Sequence, residues 1–191
     1  VFAGLLLTAG ALGDRFGRKR ALTLGLAVFG LGSGLSALAT TPEMLIGARA
    51  IMGIGGAFIM PSTLSIIMAV FPAHERPKAI GVWAGVSGLG IAIGPVAGGW
   101  LIEHASWNAV FLVNLPFVVA ALPLVRALVP ESSDPASPPL VLPGFALSTA
   151  GLLLAVFALL EGQRYEWHPL ILATGGLGIA LLGGIWLHQR S

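Results

Sequence analysis

GALGDRFGRKRAL, residues 10–22, decides how the rest of the chain is read. Only 18 of the 191 residues are Asp, Glu, Lys or Arg. Five of these, Asp14, Arg15, Arg18, Lys19 and Arg20, fall within seven positions here, with apolar runs on both sides. Bases confined to a short break between apolar runs mark a turn between membrane helices, where charge stays with water and the flanks enter lipid. Gly10 and Gly17 permit a tight turn and close helix contact. Asp14 and Arg18 are close enough in a short loop to pair, and a carboxylate there is also placed to cap the positive end of a neighbouring helix.

Composition agrees with that reading. The chain is 56% hydrophobic and 9% charged, with a mean hydropathy of +0.92, whereas a soluble domain carries about 25% charged residues. The expected solvent is lipid. A net charge of +2 built from few bases leaves no footprint for nucleic acid. There is no cysteine, which excludes disulfides, a thiolate nucleophile and a cysteine metal site. Val1 opens within an apolar run, without Met or a basic n-region, so the chain reads as part of a longer protein and not as a signal peptide.

A bilayer-spanning helix needs about 20 mostly apolar residues. The pattern predicts the tail of a helix over 1–12, then spans near 21–39, 45–71, 79–102, 109–129, 143–161 and 169–187. Strands are not expected, because the runs are too long and lack alternation. The fold class is therefore an all-α integral membrane bundle. Residues 1–129 form the main bundle, 130–142 a Pro- and Ser-rich linker, and 143–191 a two-helix hairpin. Alternate breaks fall on one side, and that side collects Arg15, Arg18, Lys19, Arg20, Arg76, Lys78, Arg126 and Arg190, against Arg164 alone on the other. The positive-inside rule makes the turn at 13–20 cytoplasmic. Trp107, Trp167 and Trp186 sit near the ends of the expected helices, where an aromatic belt places them.

The turn itself resembles a known motif. Gly10-x-Leu12-x-Asp14-Arg15-x-Gly17-Arg18-Lys19-x-x-Leu22 matches, at each specified position, the motif joining the second and third helices of the major facilitator superfamily. The resemblance implies that this turn contacts the other half of a transporter and stabilises its outward-facing state. Gly90-x-x-x-Gly94-Pro95-x-x-Gly98-Gly99 is similar to the fifth-helix motif of antiporters in that superfamily. Its glycines four apart make a flat stripe, and Pro95 removes one backbone hydrogen bond and is expected to kink the helix; the plainer reading is ordinary close packing of membrane helices. Arg49-x-x-Met52-Gly53 is similar to the fourth-helix motif, with Met52 where glutamine is usual. The resemblance implies a role for Arg49 and Gly53 in proton or substrate coupling. A cation at membrane depth is a functional candidate by default, and the plainer reading is an arginine that snorkels to water. By helical spacing Arg49, Gly53, Gly56 and Met60 share a face. Asn114 with Pro116 breaks the sixth helix, and Asn114 either lines the cavity or satisfies backbone groups freed by the break.

The helix pair after the short linker resembles the two extra helices of fourteen-helix drug/proton antiporters. The implied function is proton-coupled export of drugs or other small hydrophobic molecules by alternating access, from the plasma membrane, with the proton gradient as driving force and no cofactor. The first helix, the proton-carrying acid and the C-terminal half are expected outside the chain. An uptake facilitator or a non-transporting scaffold of the same fold is the alternative. No phosphate-binding loop appears, and His74, His104, His168 and His188 are far apart in the sequence, so no enzyme activity or metal site is expected.

Overall fold

A computed structural model describes residues 2–133, 142–162, 164 and 168–188. Helices follow one another: α1 (Phe2–Phe16), α2 (Arg18–Ala37), α3 (Pro42–Val70), α4 (Arg76–His104), α5 (Ala109–Leu112), α6 (Asn114–Leu128), α7 (Leu142–Gly162) and α8 (Pro169–His188). No strand occurs among the described residues. Among the described residues four segments are long and apolar enough to cross a membrane: Arg18–Ala37, Pro42–Val70, Arg76–His104 and Ala109–Leu128, the last being α5 and α6 together. The readings of Trp167, Arg190 and linker residues 134–141 lie outside the described residues.

The helices begin where local chemistry starts them. Thr41 caps α3, its hydroxyl accepting from the Met44 N–H at 3.3 Å, and Pro42 follows in the first turn. α4 likewise opens on Arg76 and Pro77, three residues earlier than the apolar pattern predicts, because proline is compatible with the first turn of a helix. The largest difference lies at the opening motif. Residues expected in a loop are helical on both sides of Gly17 alone. Leu12–Phe16 holds no proline, its one glycine, Gly13, is tolerated within a helix, and Arg15 in the last turn of α1 complements the negative end of its dipole.

Packing is the reverse of a soluble core. Most of the buried residues are small, among them Ala9, Ala21, Ala37, Ala48 and Ala57, with Ser33 and Ser36 fully buried; Leu22, Phe111 and Val118 are the large exceptions. Large side chains face outward, Ile91 at 78% and Phe117 at 72% exposure. Lipid is as apolar as leucine, so burying leucine between helices gains little, while small residues let backbones approach closely. The α2–α3 seam shows this. A Cβ on Gly55 would lie 2.7 Å from the Gly25 carbonyl oxygen, and one on Gly25 would lie 2.8 Å from the Phe58 Cβ. α7 and α8 pair by the same device, with Gly151 and Gly178 facing each other's backbone. α1 packs on α3, α6 on α2, and α7 lies against α1. α4 buries none of its residues.

Candidate functional site

Two places gather the residues singled out by sequence: the α1–α2 corner and a groove along α3.

At the corner, Gly17 holds φ 116° and ψ 123°, a left-handed conformation that side chains resist. Its N–H donates to the Gly13 carbonyl at 3.0 Å and its carbonyl accepts from Ala21 at 2.9 Å, so one residue carries the whole turn. Asp14, in the last turn of α1, and Arg18, the first residue of α2, then meet as an ion pair of 2.7 Å, with the Arg18 side chain only 17% exposed. The two motif glycines divide their work. Gly17 makes the turn, whereas Gly10 lets α1 approach α3, a Cβ there lying 3.3 Å from Pro61. Arg15 lies apart from the pair, its guanidinium 5.8 Å from the Phe16 ring centroid.

α2 starts with Arg18, Lys19 and Arg20. Three cations oppose the positive end of its dipole, and Gly17 has no side chain with which to cap it. Asp14 does not supply the missing cap, because it is engaged by Arg18. The cap comes from Glu131, just beyond α6. Its Oε1 accepts from the Lys19 N–H at 3.1 Å and its Oε2 lies 3.5 Å from Arg20 Nε. The Ser132 carbonyl accepts from the Arg18 N–H at 2.9 Å, and the Arg126 carbonyl from Lys19 Nζ at 2.8 Å. Two of the otherwise unpaired N–H groups at the start of α2 are thus satisfied by a segment more than a hundred residues away. Nothing local to Glu131 announces this role; the available signal is a surplus of bases with only Asp14 beside them as a balancing acid.

The other end of α2 is held symmetrically. Asn108, in the turn before α5, donates to the Ala37 carbonyl at 2.5 Å. One turn before that end, the Ser33 hydroxyl donates to the Phe111 carbonyl at 2.7 Å and accepts from Asn114 Nδ2 at 3.1 Å. Asn114 is therefore in the α2–α6 seam, at the break between α5 and α6. Ser33, a polar residue inside an apolar run, is the available sequence signal for this seam.

Along α3, Arg49, Gly53 and Gly56 line one groove of about 530 Å³ with Phe2, Phe29 and Met52. Met60 is not among its lining residues and is 46% exposed. The Arg49 guanidinium lies 5.8 Å from the Phe111 ring centroid, a cation–π contact. Among the described residues no carboxylate pairs with it. Met52, standing where glutamine is usual, turns its sulfur to the Ser36 hydroxyl at 3.5 Å, so the position retains a weak polar contact across the α2–α3 seam.

The stripe on α4 is different. The helix runs without interruption through Pro95, and a Cβ added at Gly90, Gly94, Gly98 or Gly99 would meet nothing within 4 Å. Among the described residues the stripe has no packing partner. No group of His, Cys, Asp and Glu able to hold a metal ion occurs among them either.

A family profile described as Major Facilitator Superfamily matches residues 1–187. Over the whole chain the sequence is 46% identical to the multidrug efflux pump LfrA of Mycolicibacterium smegmatis, covering 38% of that protein. It is 40% identical to the methyl viologen resistance protein SmvA of Salmonella typhimurium over 95% of the chain and 38% of that protein. It is 37% identical to a probable actinorhodin transporter of Streptomyces coelicolor over 98% of the chain and 33% of that protein. The chain spans about a third of the length of these curated relatives. With its apolar spans and all-helical bundle, it is part of a multi-pass membrane protein and belongs to the major facilitator superfamily.

Proposed function

We propose that the chain is the first half and central hairpin of a proton-driven exporter of drugs or other small hydrophobic molecules in the plasma membrane. The observation that carries this reading is the match along the full chain to proteins named for drug efflux and methyl viologen resistance. The basic end faces the cytoplasm. There the Asp14–Arg18 pair, held by the Gly17 turn, latches the two halves of the full protein in the outward-facing state. Substrate leaves from a cavity between the halves by alternating access. The Gly90–Gly99 stripe on α4 is the surface on which the other half packs and rocks; its lack of a partner among the described residues supports this. α7 and α8 are the inserted pair of a fourteen-helix member.

Arg49 is the coupling residue. Its cation has an aromatic ring and no carboxylate beside it among the described residues, which leaves it able to favour ionisation of an acid on a neighbouring helix and so discharge its proton. No cofactor takes part, and the substrate is moved without chemical change.

The test is accumulation of ethidium in a pump-deficient bacterium expressing the full-length protein. Accumulation should fall with expression and recover when an uncoupler collapses the proton gradient. Efflux that persists unchanged after the gradient is collapsed rejects proton coupling; no efflux of any cationic or hydrophobic dye rejects drug export.

A further inference from the structure

At the basic end of the bundle, α2 and α6 leave between them a groove of about 580 Å³. Lys19, Arg20 and Arg126 stand at its mouth with Glu131, while Leu24 and Ala27 line it further in. The change of character follows from helical spacing. Residues 20, 24 and 27 recur on one face of α2, and at 1.5 Å per residue Ala27 lies about 10 Å deeper than Arg20. Leu24 is 53% exposed, so the apolar part of the groove opens sideways, toward lipid.

The charges at the mouth are unequal in their engagements. Arg18 is spent on Asp14 and does not line the groove. Glu131 is spent on the Lys19 N–H and the Ser132 N–H, at 3.1 and 3.2 Å. Arg20 touches Glu131 only at 3.5 Å and its side chain is 80% exposed, a geometry in which an ion pair contributes little. The Arg126 guanidinium has no ion-pair partner among the described residues. Three cations against one occupied carboxylate, above an apolar slot open to the bilayer, complement an amphiphile with an anionic head.

The geometry points to a binding site for an anionic phospholipid of the cytoplasmic leaflet, its phosphate held between Arg20 and Arg126 and an acyl chain lying along Leu24 and Ala27. Guanidinium groups suit a phosphate because their planar donors engage two oxygens at once, and basic pockets between membrane helices on the cytoplasmic side are known to hold such headgroups. The site rests on the membrane placement of α2 and α6 and is independent of what the protein transports. It places the lipid against the same Lys19 and Glu131 that start α2, so headgroup binding reinforces the end of α2 that carries the Asp14–Arg18 corner.

Scattered bases also attract anionic lipid without forming a site, and the experiment separates the two. The full-length protein is purified in mild detergent, offered phosphatidylglycerol or phosphatidylcholine of the same chain length, and examined by native mass spectrometry. One phosphatidylglycerol should remain bound under conditions that strip phosphatidylcholine. R20Q/R126Q should lower retention about tenfold or more, whereas R76Q/K78Q, which removes the same charge at the same end but outside the groove, should leave it within about twofold. L24W keeps every base and fills the slot, and should lower retention as well. Equal retention of both lipids overturns the proposal, as does an R76Q/K78Q loss matching that of R20Q/R126Q, or undiminished retention in L24W. Circular dichroism of each variant, showing unchanged helix content, ties the losses to the groove.

Discussion

The carboxylate of Glu131 occupies the space where a side chain on Gly17 would be. A Cβ at Gly17 would lie 2.6 Å from Glu131 Oε1. The one residue that must be glycine for its backbone is thus also the one that must lack a side chain for the cap of α2 to come from elsewhere. Gly17→Ala meets both obstacles, a φ of 116° and that contact, and should cost about 1–3 kcal/mol. Glu131→Ala removes a cap and should cost about 1 kcal/mol. The double variant should cost less than the sum, since removing the carboxylate relieves part of the alanine's conflict. Thermal unfolding of the full-length protein and its three variants measures this coupling, and strict additivity would separate the two residues.

Asp14→Asn keeps the positive side of the membrane and the shape of the corner while removing one charge from a 2.7 Å pair. A charge-assisted hydrogen bond is about twice as strong as a neutral one, so the change weakens the proposed latch without abolishing it. Efflux should fall about three- to tenfold and Asp14→Ala should fall further. Labelling of single cysteines on the two faces of the full protein should show the inward-facing state gaining population. If both variants export and label like the parent, the corner serves topology alone.

Gly55 and Gly90 are both glycines in glycine-rich stripes, and they should fail differently. Gly55 sits within 2.7 Å of a backbone oxygen of α2 once a Cβ is added, whereas Gly90 faces nothing within 4 Å. Gly55→Ala should destabilise by about 1–3 kcal/mol through overpacking and lower the yield of folded protein. Gly90→Ala should leave this half of the fold within about 0.5 kcal/mol of the parent and act on transport instead. Melting temperature set against efflux rate distinguishes the two; parallel losses in both variants would place Gly90 in a seam of this half.

Arg49 is close to Phe111 and to no described acid. Phe111→Leu should cost this contact about 0.5–2 kcal/mol and reduce efflux only a few-fold. Arg49→Gln should abolish the uncoupler-sensitive part of efflux, and Arg49→Lys should retain part of it, because a cation persists but its planar face on the ring is lost. Proton uptake into vesicles on addition of substrate reads the coupling directly. Normal coupling in Arg49→Gln would reduce Arg49 to a snorkelling residue.

Much of this protein was legible in one dimension, and the reasons are physical. Lipid imposes helix on any long apolar run because no water is present to satisfy an open backbone, so the spans near 21–39, 45–71 and 79–102 reappear in α2, α3 and α4 with ends shifted by a few residues. The motif at 10–22 named its family because turn glycine, acid and bases are set by local geometry, and local geometry is written in adjacent residues. Asp14 and Arg18 are four positions apart and meet as that spacing allows. What only the tertiary structure decided is which distant groups complete these local ones. Glu131 as the cap of α2, Asn108 at its other end, and Ser33 between the Phe111 carbonyl and Asn114 depend on α6 lying beside α2. That seam is closed by Gly30 against Val118 and by the Ser33 hydrogen bonds, contacts between residues far apart in the chain that no single stretch of sequence records.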